Sequence, residues 1–217
     1  MKLKHFVTVS MVNLTAANSR PTTMSSISQT TVTQHSPWSA EDDPGLMHLI
    51  AMGNKPAFTE LARRHMPGML GFARRYVQLS EAEDIVQEAL TRIWLKAAQW
   101  QDRGTSPRSW LMRIVYNLTM DSLRRQPKLA EQDSNELMAT ANGPEKNYEE
   151  SIKQQQLAVA MKALPERQRS AVVLTVYNAM TNREAAGVLE VSVDALESLL
   201  SRGRRGLKQS IDLQRGV

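Results

Sequence analysis

Arg202, Arg204, Arg205 and Lys208 crowd together near the end of the chain, preceded by Ser192, Asp194, Glu197, Ser198 and Ser201. Guanidinium and ammonium groups neutralise phosphates, while hydroxyls and carboxylates ahead of them can exchange hydrogen bonds with base edges. A second group lies upstream. Trp100, Trp110 and Tyr116 are interleaved there with Arg103, Arg108, Arg113, Arg124, Arg125 and Lys128, and Gln101, Asp102 and Asn117 add further polar groups. Aromatic rings set among cations suit single-stranded nucleic acid, whose bases stack and whose phosphates are neutralised. The same residues read equally well as a core tryptophan with solubilising arginines around it. A third group, Asp84, Gln87, Glu88, Thr91 and Leu95, has the spacing of one helix face. It is either a solvated face with one exposed leucine, or an apolar anchor with the polar rim of a protein interface.

Other chemistries lack their residues. There is no cysteine, which excludes disulfides and thiolate metal sites and suits a reducing compartment. His5, His35, His48 and His65 are scattered without ligand spacing, so neither metal nor cofactor is expected. The carboxylate pairs Glu83-Asp84 and Glu149-Glu150 are adjacent, and neighbours on a helix point in different directions. With no glycine loop and no nucleophile beside a base, an enzyme is not the expectation. The net charge is +5. It is unevenly spread, with +2 over residues 41–125, −3 over 126–153 and +3 over 154–217. Two basic blocks around an acidic spacer suggest a polyanionic partner.

The elements that must position these groups are helical. From Asp43 onward the apolar spacing is that of helices, with Pro and Gly as punctuation and no alternating strand pattern. Helices are expected near 45–52, 55–76, 81–98 and 107–125, then 151–163, 166–178, 182–189 and 193–210. The fold class is therefore all-α: two small helical domains, 41–126 and 153–217, joined by a polar, acidic tether over 127–152 that is long enough to let them sit apart. Residues 1–40 form a leader. Lys2, Lys4 and the run Phe6 to Val12 faintly resemble a signal peptide, but Ser, Thr and Asn interrupt it and it is too short to span a bilayer. Asn18 to Ser36 has the composition of disorder, and Met24 or Met47 could begin a shorter chain.

Two capping boxes are expected, Ser80 with Glu83 and Thr181 with Glu184. The second opens a short helix carrying Ala185, Ala186 and Leu189 on its inner face. Glu190-Val191 makes a turn, and Ser192 caps a longer helix on which Val193, Leu196, Leu200, Gly203 and Leu207 share one face. Asp194, Ser198, Ser201 and Arg205 lie opposite, flanked by Glu197 and Arg202. This is a helix-turn-helix pattern, or else a helical hairpin with a solvated polar face.

The run ALPERQRSAVVLTVYNAMTNREAAGVLEVSVDALESLLSRGRRGLK resembles the fourth conserved region of bacterial RNA polymerase sigma factors. DIVQEALTRIWLKA followed by PRSWLMRIVYNLTMDSLRR resembles their second region. The short acidic spacer in place of a third region is similar to the small extracytoplasmic-function group. The resemblance implies that Asp84, Gln87, Glu88, Thr91 and Leu95 face the clamp helices of the polymerase's largest subunit. It implies that the loop from Gln101 to Pro107, with Trp100, Asp102, Arg103, Arg108, Trp110, Arg113 and Asn117, engages the melted −10 element. It places Ser192, Asp194, Glu197, Ser198, Ser201, Arg202, Arg204, Arg205 and Lys208 on the −35 element. It further implies a flap contact with the second-largest polymerase subunit, an anti-sigma factor partner, a cytoplasmic location without membrane insertion, and a monomer when free. The chain departs from the family where Glu197 replaces a usual Lys or Arg, where Leu199 replaces Arg, and where Glu190 replaces the usual turn glycine. Tyr116 stands where small or charged residues are common. The rival expectation is a conventional helix-turn-helix repressor or activator, for which neither a dimerisation surface nor an effector domain is evident.

Overall fold

A computed structural model of the chain describes residues 38–101, 106–125 and 148–214. The expected leader before Trp38, most of the expected tether, and Asp102 with Arg103 lie outside the described residues. All regular structure among the described residues is helical: α1 Asp43–Ala51, α2 Lys55–Ala73, α3 Leu79–Lys96, α4 Pro107–Arg125, α5 Tyr148–Ala163, α6 Glu166–Val172, α7 Asn182–Leu189 and α8 Val193–Gln214. A 3-10 turn, Ala97–Gln99, follows α3, and α6 widens into a π-helical turn, Val173–Tyr177.

Local chemistry starts most of these helices. The Asp42 carboxylate accepts from Gly45 N at 2.8 Å, and the Asn54 side chain accepts from Ala57 N at 3.0 Å, each with proline in the first turn. Thr181 and Glu184 form the full reciprocal capping box on α7. Ser192 Oγ accepts from Ala195 N at 3.1 Å. The capping box expected at Ser80 and Glu83 does not form. The helical ladder begins earlier, with Ala82 N donating to Gln78 O at 2.9 Å, so Ser80 is already inside α3.

The first half is a bundle of α1 to α4 around Leu46, Met47, Leu61, Met69, Phe72, Ile93, Leu111 and Met120, all essentially inaccessible. Residues just ahead of α1 pack onto it. Trp38 packs against the core, and the Arg64 guanidinium donates to the carbonyls of Trp38 and Ser39 at 3.1 and 3.0 Å. Arg64 also binds Glu60, whose buried carboxylate accepts from Arg63 as well. Those hydrogen bonds, Arg63 foremost, outweigh burial and hold the Glu60 pKa down at about 2.

The second half packs α5 to α8 around Leu174, Val188, Leu196 and Leu200. Gly203 lets α6 and α8 approach closely, since a Cβ there would stand 3.1 Å from Val172 Cγ2. The tether length allowed the halves to sit apart, yet here they meet. The buried Tyr76 hydroxyl bonds Ser170 Oγ at 2.9 Å, and burial pushes its pKa up to about 12 despite that bond. Arg75 stacks on the Tyr177 ring at 3.4 Å, Arg169 lies over the Tyr76 ring at 4.3 Å, and Asn178 Nδ2 donates to Gly68 O at 2.8 Å.

Candidate nucleic-acid interface

The C-terminal pair α7 and α8 forms the expected helix-turn-helix. Leu196, Leu200 and Gly203 are buried, Leu207 packs against the core, and Val193 is more exposed than its spacing suggested. Glu190 makes the turn in the left-handed conformation, φ 53° and ψ 49°. That geometry favours glycine, and a side chain is tolerated there at a cost. Opposite the core, Ser192, Asp194, Glu197, Ser198, Ser201, Arg202, Arg204, Arg205 and Lys208 are all exposed. Glu197 accepts a hydrogen bond from Asn182 Nδ2 at 3.3 Å, and Arg202 Nε donates to Ser198 O at 3.2 Å. Asn182 did not stand out in the sequence, where only its place just inside the α7 cap put it near the outward face of α8. The long helix thus presents hydroxyls and carboxylates near its start and cations further on, an order suited to bases in a groove and phosphates at its edge.

The face of α3 emerges as the spacing requires. Ile85, Val86, Ala89, Leu90 and Ile93 are buried, and Trp94 meets Phe58 edge-on with centroids 5.3 Å apart. On the other side Asp84 and Glu88 are exposed, Gln87 and Thr91 are half-buried, and Leu95 is 68% exposed. Glu88 pairs with Arg92 at 2.9 Å, and Thr91 Oγ1 donates to Gln87 O at 3.0 Å. Leu95 is therefore an apolar group without apolar cover, rimmed by acids and an amide.

The aromatic and basic group is divided. Trp100 and Trp110 both pack partly against the core, and Trp100 Nε1 is buried with no acceptor among the described residues. Tyr116 is half-buried with its ring edge toward Phe72, and burial raises its pKa. Gln101 and Asn117 are exposed. Arg108 and Arg113 point at the second half: Arg108 donates to the carbonyls of Asn178 and Ala179, and Arg113 pairs with Glu190 at 2.6 Å. Ser109 Oγ donates to Glu184 O at 3.1 Å beside them. None of these cross-contacts was legible in local spacing.

No helix among the described residues is long and apolar enough to cross a membrane. Sigma-70 region 2 matches residues 61–128, and Sigma-70, region 4 matches residues 154–207. The RNA polymerase sigma factor NccH of Alcaligenes xylosoxydans is 30% identical, over 76% of this chain and 92% of the relative. The ECF RNA polymerase sigma factor SigE of Mycolicibacterium smegmatis is 29% identical, over 93% of this chain and 80% of its own length. Among solved structures, CnrH bound to the cytosolic domain of CnrY superposes with TM-score 0.61 and 26% identity, covering 77% of this chain and 96% of that one. The sigma factor RpoE in complex with the anti-sigma factor NepR from Bartonella quintana shares the fold, with TM-score 0.55 at 23% identity, over 71% of this chain and 96% of that one. With both regions present in the right order on a helical frame that places a helix-turn-helix at its end, the chain belongs to the RNA polymerase sigma factors of the extracytoplasmic-function group, which direct promoter-specific initiation.

Proposed function

We propose that three surfaces of this sigma factor divide the work of initiation. The face of α3 with Asp84, Gln87, Glu88, Thr91 and Leu95 docks on the clamp helices of the polymerase's largest subunit. The observation that carries this is the exposure of Leu95 inside a polar rim, on a helix whose other side is fully packed. Trp100, Gln101, Asp102, Arg103, Arg108, Trp110, Arg113 and Asn117 surround the melted −10 element. Melting costs stacking and pairing energy, which trapping an unstacked base offsets. The outward face of α8, from Ser192 to Lys208, reads the −35 element.

Within this division the domains are residues 41–126 and 153–217, and the segment between them is a tether. The second half also meets the flap of the second-largest subunit. The protein works in the cytoplasm as a monomer, held inactive by an anti-sigma factor. Phosphodiester chemistry belongs to the polymerase, so the sigma factor needs no nucleophile or metal of its own. Co-purification with core polymerase, followed by sequencing of the transcripts it starts, tests the reading. Recovery of polymerase and a shared pair of upstream elements is expected. Recovery without polymerase, on operator-like palindromes, would favour a conventional repressor or activator.

A further inference from the structure

We infer that Asn182, the first residue of α7, is a second specificity-determining residue of the −35 interface: its carboxamide reads the base pair next to the one that Glu197 reads, and prefers adenine there. This rests on the proposed reading of the −35 element by α8.

The side chain stands on a fixed platform. Thr181 and Glu184 close the reciprocal cap around it, with Thr181 N donating to Glu184 Oε2 at 2.9 Å and Glu184 N donating to Thr181 Oγ1 at 3.2 Å. Ala185 and Ala186, in the same first turns of α7, are buried. The backbone of Asn182 is therefore held in place, while its carboxamide takes no part in the cap and is exposed.

Across the turn, Asn182 Nδ2 donates to Glu197 Oε1 at 3.3 Å. Arg202 does not claim that carboxylate, since its Nε donates to Ser198 O at 3.2 Å. An amide, not a cation, thus attends Glu197, and the contact puts the carboxamide at the depth of the outward face of α8. Consecutive bases along one strand rise by about 3.4 Å, so two polar groups 3.3 Å apart match one base step. A docking that brings Glu197 to one base edge brings Asn182 to the neighbouring one.

The two groups differ in what they can pair with. A carboxylate only accepts, whereas a carboxamide both donates and accepts. When cytosine N4 donates to Glu197, Asn182 is released, and at 3.3 Å the bond it gives up is a weak one. Its Nδ2 then donates to adenine N7 while its Oδ1 accepts from adenine N6, the bidentate pattern that marks adenine in the major groove. Guanine presents two acceptors at that edge and would leave Oδ1 facing an oxygen. The upstream element should therefore carry an adenine beside the cytosine. A phosphate contact alone would give no such preference.

The test is transcription by core polymerase with the full-length chain, from a library randomised across the −35 element. Wild type should select cytosine at one position and adenine at an adjacent one. Asn182→Ala should reduce the adenine preference by about 5-fold or more while keeping the cytosine preference. Helicity and Tm should match wild type, because the side chain makes no bond to the cap. Asn182→Asp provides a second arm should the alanine variant misfold. A carboxylate there accepts but cannot donate to N7, so the preference at the adjacent position should move from adenine toward cytosine. Selected elements that lack adjacent cytosine and adenine overturn the inference. So does an Asn182→Ala chain that keeps the adenine preference, or that weakens all sequences alike as loss of a phosphate contact would. Wild-type transcripts with no preference anywhere across the −35 element would instead refute the reading by α8, leaving the two failures distinguishable.

Discussion

Replacing Glu197 with Lys probes what the recognition helix reads. Glu197 is exposed on the outward face of α8, one turn before Ser201, and accepts from Asn182 Nδ2 at 3.3 Å. That distance is long for an N–H···O bond, so a base can displace Asn182 at little cost. A carboxylate accepts from cytosine N4 and cannot donate to guanine O6 or N7. A good base contact discriminates by about 1–3 kcal/mol, or about 5- to 160-fold. The upstream element should therefore contain a cytosine on the contacted strand, and Glu197→Lys should relax or switch the preference at that one base pair. The substitution also adds a phosphate partner, which steepens the salt dependence by about 0.9 in log–log slope. Raising salt from about 50 to about 200 mM should then cost the variant about 3.5-fold more affinity than wild type. Arg205→Ala should instead weaken binding to all sequences alike. The assay is transcription from a library randomised across the −35 element. An unchanged preference at every position in Glu197→Lys would mean that Glu197 does not read bases and that the docking register of α8 is wrong.

Leu95→Asp and charge reversal at Asp84 should weaken binding to core polymerase while leaving helicity and Tm nearly unchanged, because both side chains lie opposite the packed face of α3; wild-type affinity in both would remove the docking assignment. Glu60 has a folded-state pKa of about 2 against an ordinary 4.5, so its stabilisation is complete above pH 4.5 and is lost as pH falls toward 2. Glu60→Gln should destabilise the fold at pH 7, and urea titrations should show the gap to wild type shrinking between pH 4.5 and 2.

Local signals in the sequence translated well into structure. Thr181 and Glu184 are three residues apart and cap α7 as expected, and the spacing of Leu196, Leu200 and Gly203 buries the expected face of α8. Ser80 and Glu83 carry the same signal, but α3 is already helical at Leu79, anchored by the fully buried Ala82. Packing there overrode the local cap. The seam between the halves was illegible because its partners are distant: Tyr76 and Ser170 are 94 residues apart, and Arg113 and Glu190 are 77 apart. Arg108, which read as free for DNA, is engaged by the backbone carbonyls of Asn178 and Ala179, which no side-chain pattern announces. Trp38 is a smaller case of the same kind, since a polar leader gives no hint that Arg64 will reach back to its carbonyl.

The central claim is that this chain confers promoter choice on polymerase through two reading surfaces. The most direct measurement is in vitro initiation by purified core polymerase, with and without the full-length chain, on genomic fragments whose 5′ transcript ends are sequenced. Discrete start sites should appear only with the chain, share elements near −35 and −10, and vanish with Leu95→Asp. Start sites that are the same with and without the chain would contradict it.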